Sequence, residues 1–163
     1  MAISAEILRS WRSPRAAIRR ILPAATEAGA LSYLLAAAIL LIVAQAPGLA
    51  RQAHLDPAVP VEARLFAAAL GILAFLPPAA YGLAALSHLV ARAFAGRGTW
   101  LGARLALFWT LLALAPLFLL RGLIAGLAGV GTALSAMDFL VTAAFLAHWI
   151  LALTAAEQIG IAE

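Results

Sequence analysis

Residues 28–46 read AGALSYLLAAAILLIVAQA, a run of nineteen positions without a charged side chain. A helix of this length crosses a hydrocarbon core of about 30 Å, since each helical residue adds about 1.5 Å. In lipid every backbone N–H and C=O group needs a partner within the protein, which a helix supplies. Strands of a barrel would alternate in polarity, and this run does not. It therefore predicts a transmembrane helix, ended by the turn Pro47-Gly48.

The chain as a whole is also rich in apolar residues. Of its 163 residues 66% are hydrophobic, and the mean hydropathy is +1.04, whereas soluble domains average about 45–50% apolar residues. The chain has no cysteine, which excludes disulfides, thiolate metal sites and cysteine nucleophiles. The net charge is +4, and the arginines that carry it stand beside hydrophobic runs. This placement favours anionic lipid headgroups, not nucleic acid, as the partner.

Residues 1–27 have the pattern of an amphipathic helix at the membrane surface, which Ser13-Pro14 divides into two pieces. The alternative is a charged tail that only sets orientation. A cleavable signal peptide is not expected, because no uninterrupted apolar run precedes residue 28. At 100° per residue, one face is apolar and the opposite face is basic: Ile7, Trp11, Ile18, Ile21 and Leu22 form the first, and Arg9, Arg12, Arg19 and Arg20 form the second.

The second hydrophobic stretch covers residues 63–94 and is too long for one upright span. Pro77-Pro78 lies near its middle, where missing donors and ring clashes kink or interrupt a helix. We favour one long kinked span whose end projects into the cytoplasm. The alternative is a re-entrant hairpin of two short segments, which would add a fifth membrane segment.

The third span is predicted over residues 103–126, with a bend at Pro116 and an outer connection over residues 122–131. Ser135 then resembles the N-cap of a fourth span that ends near Ala156, with Asp138 completing a capping box. The predicted fold is an all-α, polytopic transmembrane helical bundle. It has four spans within residues 28–163, five being the alternative, and an N-terminal amphipathic interfacial helix within residues 1–27.

The arginines give this topology an orientation. Eight of them fall on the side of the N-terminus, and three, Arg51, Arg64 and Arg121, fall on the other. By the positive-inside rule both termini are cytoplasmic. We expect the following side chains to contact lipid headgroups: Arg9, Trp11, Arg12, Arg15, Arg19, Arg20, Arg92, Arg97 and Arg104.

Ionisable groups inside a membrane are candidates for functional sites. His148 lies ten residues after Asp138, about 15 Å along the helix. Its favoured partner is a carbonyl or a hydroxyl of a neighbouring helix, and the alternative role is a proton-linked or ligand-contacting group. For His88 interfacial hydrogen bonding is favoured over a functional role. Arg121 either extends its side chain to the boundary or pairs with Asp138.

The sequence predicts no catalytic constellation, cofactor site or metal site. The depths expected for His88 and His148 differ, so they are poorly placed to share one metal ion. Gly96-x-Gly98 is interpreted as a turn, and Gly122-x-x-x-Gly126 as a small-residue pattern that permits close helix packing.

The segment HLVARAFAGRGTWLGAR, from His88 to Arg104, is followed twelve residues later by Pro116. This arrangement, with Trp11-Arg12-Ser13-Pro14-Arg15 before the first span, resembles the bacterial branch of the Yip1 family of integral membrane proteins. The resemblance implies a bacterial inner-membrane protein with five spans, one more than we count. A Tyr-Gly-Pro type motif of eukaryotic members is absent, so their association with small GTPases is not carried over.

Two functions follow as hypotheses. The first is a non-enzymatic scaffold or accessory subunit that contacts a protein partner or a second copy, or organises membrane. It is motivated by the scarcity of polar groups inside the spans. The second is a small oligomeric transporter or channel, with a pathway near Pro77-Pro78 and His148, because transporters use interrupted helices.

Overall fold

A computed structural model describes residues 3–158. These residues form helices joined by short connections, and no strand occurs among them. Two short helices come first, and five longer helices follow. The helices are α1 (Ile3–Arg12), α2 (Pro14–Ile21), a short 3-10 helix (Leu22–Ala24), α3 (Glu27–Leu55), α4 (Val61–Ala93), α5 (Trp100–Ala113), α6 (Ala115–Leu127) and α7 (Thr132–Gln158).

Three helices, α3, α4 and α7, are each long and apolar enough to cross a membrane, with mean hydropathies of 2.1, 1.8 and 1.9. The helices α5 and α6 meet that standard together, with a bend of 43° between them. The described residues therefore contain three such helices, or four if the bent pair counts as one span. The prediction of an all-α bundle with helices long and apolar enough to cross a membrane is confirmed.

Two predicted helix boundaries are wrong. Pro47-Gly48 does not end the first span, because α3 continues through both residues to Leu55. One internal proline removes a single backbone bond, and packing of this segment against α6 outweighs that loss. Ser135 is not an N-cap, since α7 begins at Thr132 and the Gly131 carbonyl already accepts from the Ser135 amide at 3.0 Å.

The prolines of the second stretch lie within one helix, because α4 is continuous through Pro77 and Pro78. The re-entrant alternative, and with it a fifth span at this point, is therefore absent. Residues 122–127 belong to α6, so the connection before α7 is shorter than predicted and covers residues 128–131. Pro116 lies in the first turn of α6, next to the bend predicted for it.

The core is built around α5, whose residues are buried from Gly102 to Ala113 except for Arg104. Around it lie α3, α4 and α7, and α1 contacts it from the remaining side. Ala17 and Ile18 of α2 are fully buried, and α2 packs on α7. The apolar face of the N-terminal segment therefore contacts protein, where the sequence had predicted the acyl boundary. Burying it against a bundle satisfies the same hydrophobic requirement.

Small residues bring α3 and α6 together. A Cβ atom at Gly122 would overlap the carbonyl oxygen of Ala44, and one at Gly126 would lie 2.5 Å from Cβ of Pro47. Gly48 faces Ala125 at an ordinary contact distance. The Gly122-x-x-x-Gly126 pattern thus serves packing within the chain, as small residues do between membrane helices.

We predict that Gly122→Ala lowers the free energy of unfolding in mild detergent by about 1–3 kcal/mol, because the added methyl group pushes two helix backbones apart. Gly71→Ala is the matched control, since open space surrounds that glycine in α4. It should leave stability unchanged or raise it by up to about 1 kcal/mol. Equal effects of the two substitutions in thermal unfolding would contradict the close α3–α6 contact.

Candidate functional site

The break between α5 and α6 leaves a carbonyl without its helical partner. The amide of Leu117 bonds to the carbonyl of Leu114 at 2.9 Å, so the carbonyl of Ala113 does not receive it. Trp11 supplies the missing donor, with its indole Nε1 2.7 Å from the oxygen of Ala113. Because Trp11 belongs to α1, the N-terminal segment completes the backbone bonding of the bent span.

A buried polar network joins α1, α5 and α7. The indole Nε1 of Trp109 donates to Ser10 Oγ at 2.9 Å, and Ser10 Oγ lies 2.8 Å from Nε2 of His148. The other ring nitrogen of His148, Nδ1, lies 3.1 Å from Oγ1 of Thr110, which itself donates to the Ala106 carbonyl at 2.7 Å. Five hydrogen-bonding groups from three helices thus meet in an apolar core.

The protons of this network can be assigned from its donors and acceptors. Thr110 uses its hydroxyl proton on a carbonyl, so it accepts from His148, which places the ring proton on Nδ1. His148 Nε2 then accepts from Ser10, which in turn accepts from Trp109. Both ring nitrogens of the buried histidine are engaged. This is the bonded arrangement that the sequence favours for His148, with hydroxyl partners on α1 and α5.

The helices α1 and α2 fold back on each other, and we call them the N-terminal hairpin. Ser13 lies between them at the N-cap position of α2, with Pro14 in its first turn. Glu6 of α1 receives two hydrogen bonds from Arg20 of α2, Nε at 2.8 Å and Nη2 at 2.5 Å. The Glu6 carboxylate thereby ties the open ends of the hairpin together.

The outer surface of the N-terminal hairpin is strongly basic. Its exposed guanidinium groups include those of Arg12, Arg15 and Arg19, which form no ion pair or hydrogen bond with any described residue. Arg9 lies 3.9 Å from the second oxygen of Glu6. We call this surface the arginine face: Arg9, Arg12, Arg15, Arg19 and Arg20.

At one end of the bundle Glu157 connects three segments, and we call it the Glu157 end. Its carboxylate lies 2.7 Å from Nδ1 of His88 in α4 and accepts from the Gly98 amide at 3.0 Å. Its backbone carbonyl accepts from the Arg97 amide at 3.0 Å. Side chains at Gly96 or Gly98 would collide with this carboxylate. The Gly-x-Gly turn is therefore required for close approach to Glu157.

Other predicted site residues lie around the Glu157 end. The ring of His88 is buried 4.6 Å, centre to centre, from that of Trp100. Arg104 pairs with Glu27 at 2.5 Å and lies over the ring of Tyr81. The side chains of Arg92 and Arg97 are exposed. His88 is thus bonded to a carboxylate, a partner that the sequence did not predict.

The opposite end of the bundle, the Arg121 end, carries a further polar cluster. Nε of Arg121 lies 2.5 Å from Oδ1 of Asp138, which fastens α6 to α7. Nη1 of Arg51 donates to the carbonyl of Leu127 at 3.2 Å, at the C-terminal end of α6. No group of three His, Asp or Glu side chains that could hold a metal ion occurs among residues 3–158.

Sequence reasoning offered the pair of Arg121 with Asp138 as an alternative, and the structure contains this pair. It did not identify which residues bond the two buried histidines. Ser10 lies 60° from Ile7 on the helical wheel, so its place beside the apolar face was the available signal. Glu157 ends an apolar run and gave no sign of its partner 69 positions away. Nothing in the sequence distinguishes Trp109 and Thr110 from other residues of a span, and only their contacts with Ser10 and His148 identify them as part of the network.

Comparison with known proteins gives no relative to guide the assignment. No protein-family model matches the chain, and no curated protein or solved structure shows a significant match.

We predict that Ser10→Ala lowers the free energy of unfolding by about 1–3 kcal/mol, because it leaves the Trp109 donor and the His148 acceptor without a partner in the core. Ser32→Ala is the matched control, since that exposed hydroxyl bonds a carbonyl of its own helix and should change stability by less than about 0.5 kcal/mol.

A double-mutant cycle of Ser10→Ala with His148→Leu should give a coupling energy of about 0.5–3 kcal/mol. Additive effects in thermal unfolding would show that the two side chains do not interact.

Proposed function

We propose that the protein is a non-enzymatic integral membrane protein that gathers anionic lipids around its N-terminal hairpin and serves as a scaffold for a membrane complex. It crosses the membrane four times, through α3, α4, the bent pair α5–α6 and α7. Both termini, and with them the Glu157 end, face the cytoplasm. The arginine distribution supports this orientation, with eight on the Glu157 side and three on the other.

The proposal depends on where the hairpin meets the bundle. His148 lies nine residues from Glu157 and ten from Asp138, so it sits about 14–15 Å from either boundary. Ser10 is bonded to His148, and Trp11 to the Ala113 carbonyl. The turn of the N-terminal hairpin therefore reaches about half the depth of the bundle, and its outer surface carries the arginine face with it.

Exposed arginine side chains at that depth would be unfavourable if only hydrocarbon surrounded them. Placing arginine at the centre of a bilayer costs about 2.5–3.5 kcal/mol on insertion scales. Phosphate groups and water following Arg12 and Arg15 toward the turn would remove most of this cost, by thinning the cytoplasmic leaflet beside the hairpin. Anionic lipids satisfy the guanidinium groups best, since each basic residue near such a surface gains about 1 kcal/mol. The exposure of Arg12 and Arg15 at this depth is the observation that carries the proposal.

The resemblance to the bacterial Yip1 family implies a polytopic protein of the bacterial inner membrane, with one span more than the four proposed here. The transport hypothesis depends on an interrupted helix at Pro77-Pro78 and on an available His148. Here α4 is continuous through both prolines, and both ring nitrogens of His148 are bonded within the protein. The scaffold is therefore the function that the geometry supports best.

We predict that the double variant Arg12→Gln, Arg15→Gln weakens binding of spin-labelled phosphatidylglycerol in phosphatidylcholine vesicles by about tenfold to thirtyfold. The reason is the loss of about 1 kcal/mol for each charge. Arg12→Lys, Arg15→Lys is the matched control, because it retains both charges and should retain most of the binding. A glutamine variant that immobilises as much labelled lipid as the original protein would refute the role of the arginine face.

The orientation is tested by reporters at the two ends of the chain. A fluorescent protein fused to the C-terminus should fold and fluoresce in the cytoplasm. A phosphatase that works only in the periplasm should be inactive when it is fused to the same C-terminus. The same pattern is expected at the N-terminus. Opposite results at the two ends would require an odd number of crossings.

A further inference from the structure

The helices α4 and α7 are joined by one pair of side chains at the Glu157 end, and both line a cleft toward the Arg121 end. His88 and Glu157 join them at 2.7 Å. Toward the other end a cleft of about 440 Å³ lies between them, with walls from Ile72 of α4 and from Val141 of α7. Its remaining walls come from α3 and α6, including Leu41 and Phe118.

A second cleft of about 520 Å³ continues along α3 and α6 toward the loop before α7, and it shares Gln45 and Arg121 with the first. Its lining includes Arg51 and Gln52. The shared residues place a guanidinium group and a carboxamide where the two clefts meet.

The charges at this junction are unbalanced. Arg121 uses Nε on Asp138, and its two Nη groups have no partner among the described residues. Arg51 also lines the second cleft, and its contacts are to carbonyl oxygens, which leave its charge in place. The linings of the two clefts together contain two arginines and one carboxylate, so they carry one excess positive charge.

Below this polar junction the lining of the first cleft is apolar except for Thr142, with Leu41, Ile72, Phe118 and Val141 in its walls. A soluble anion would gain nothing from these side chains. An amphiphile with an anionic head and a hydrocarbon tail matches both parts, because its head meets Arg121 while its tail lies between α4 and α7.

We propose that the cleft between α4 and α7 is a binding site for one glycerophospholipid, whose phosphodiester group is held by Arg121 and Gln45 and whose acyl chain fills the space beside Ile72 and Val141. The site lies at the Arg121 end, away from the arginine face. It does not depend on the scaffold function proposed above.

The test uses phosphatidylglycerol with a photoactivatable diazirine in one acyl chain, mixed into phosphatidylcholine nanodiscs that hold the full chain. Illumination should cross-link this lipid to peptides around Leu41 and Val141, which mass spectrometry identifies. A diacylglycerol with the same diazirine chain, which has no phosphate, should label these peptides several times less. Added inorganic phosphate should not compete, because the tail contributes to binding.

Arg121→Gln should lower the labelling about fivefold to tenfold. Arg121→Gln also breaks the pair with Asp138. A second variant, Ile72→Trp, is therefore tested beside it, because the larger side chain fills the cleft and leaves that pair intact. It should reduce labelling as strongly. Arg64→Gln is the control, because Arg64 bonds Asp56 outside the cleft lining, and it should change nothing.

Three results would overturn the proposal. Labelling that neither Arg121→Gln nor Ile72→Trp reduces would place the lipid elsewhere. Equal labelling by the diacylglycerol probe would remove the role of the phosphate. Competition by inorganic phosphate would identify a site for a soluble anion. None of these results bears on the arginine face, which is tested at the opposite end of the bundle.

Discussion

The structure depends on one constraint, that a polar group inside an apolar bundle must find its partner within the protein. The bend at Leu114 breaks this rule locally, since the Ala113 carbonyl loses its helical donor. His148, in the middle of α7, is a second buried polar group that needs a partner. One segment of α1 corrects both, through Trp11 at the carbonyl and Ser10 at the histidine. The N-terminal hairpin is therefore a structural part of the bundle.

The position of the hairpin has consequences for its charged side. Burial of Ala17 and Ile18 against the bundle turns the arginine face outward. The hydrogen bonds of Ser10 and Trp11 fix how far along α5 and α7 the hairpin turn extends. Hydrophobic packing alone would allow the hairpin to slide, whereas directional bonds at both residues select one depth. Polar contacts in the core thus set the position of the arginine face.

The sequence predicted what depends on hydrophobic length and on local pattern. Long apolar runs predicted α3, α4 and α7. The Gly122-x-x-x-Gly126 spacing predicted a face that permits close helix packing, without naming α3 as the partner. Sequence reasoning failed where tertiary packing overrides a local signal, as when α3 continues through Pro47. Partners far apart in the chain were also out of reach: no periodicity links Ser10 to His148 or His88 to Glu157.

The central claim is that the hairpin turn lies beside the middle of α7, and dipolar broadening between two nitroxide labels tests it most directly. The chain has no native cysteine, so labels can be attached at Ser13→Cys and Ala147→Cys without background. The cleft beside the turn is lined by Arg12, Pro14 and Ala147 together, so this pair should show strong broadening in liposomes. A pair at Ser13→Cys and Arg97→Cys should show much less. Broadening absent from the first pair, or stronger in the second, would contradict the account.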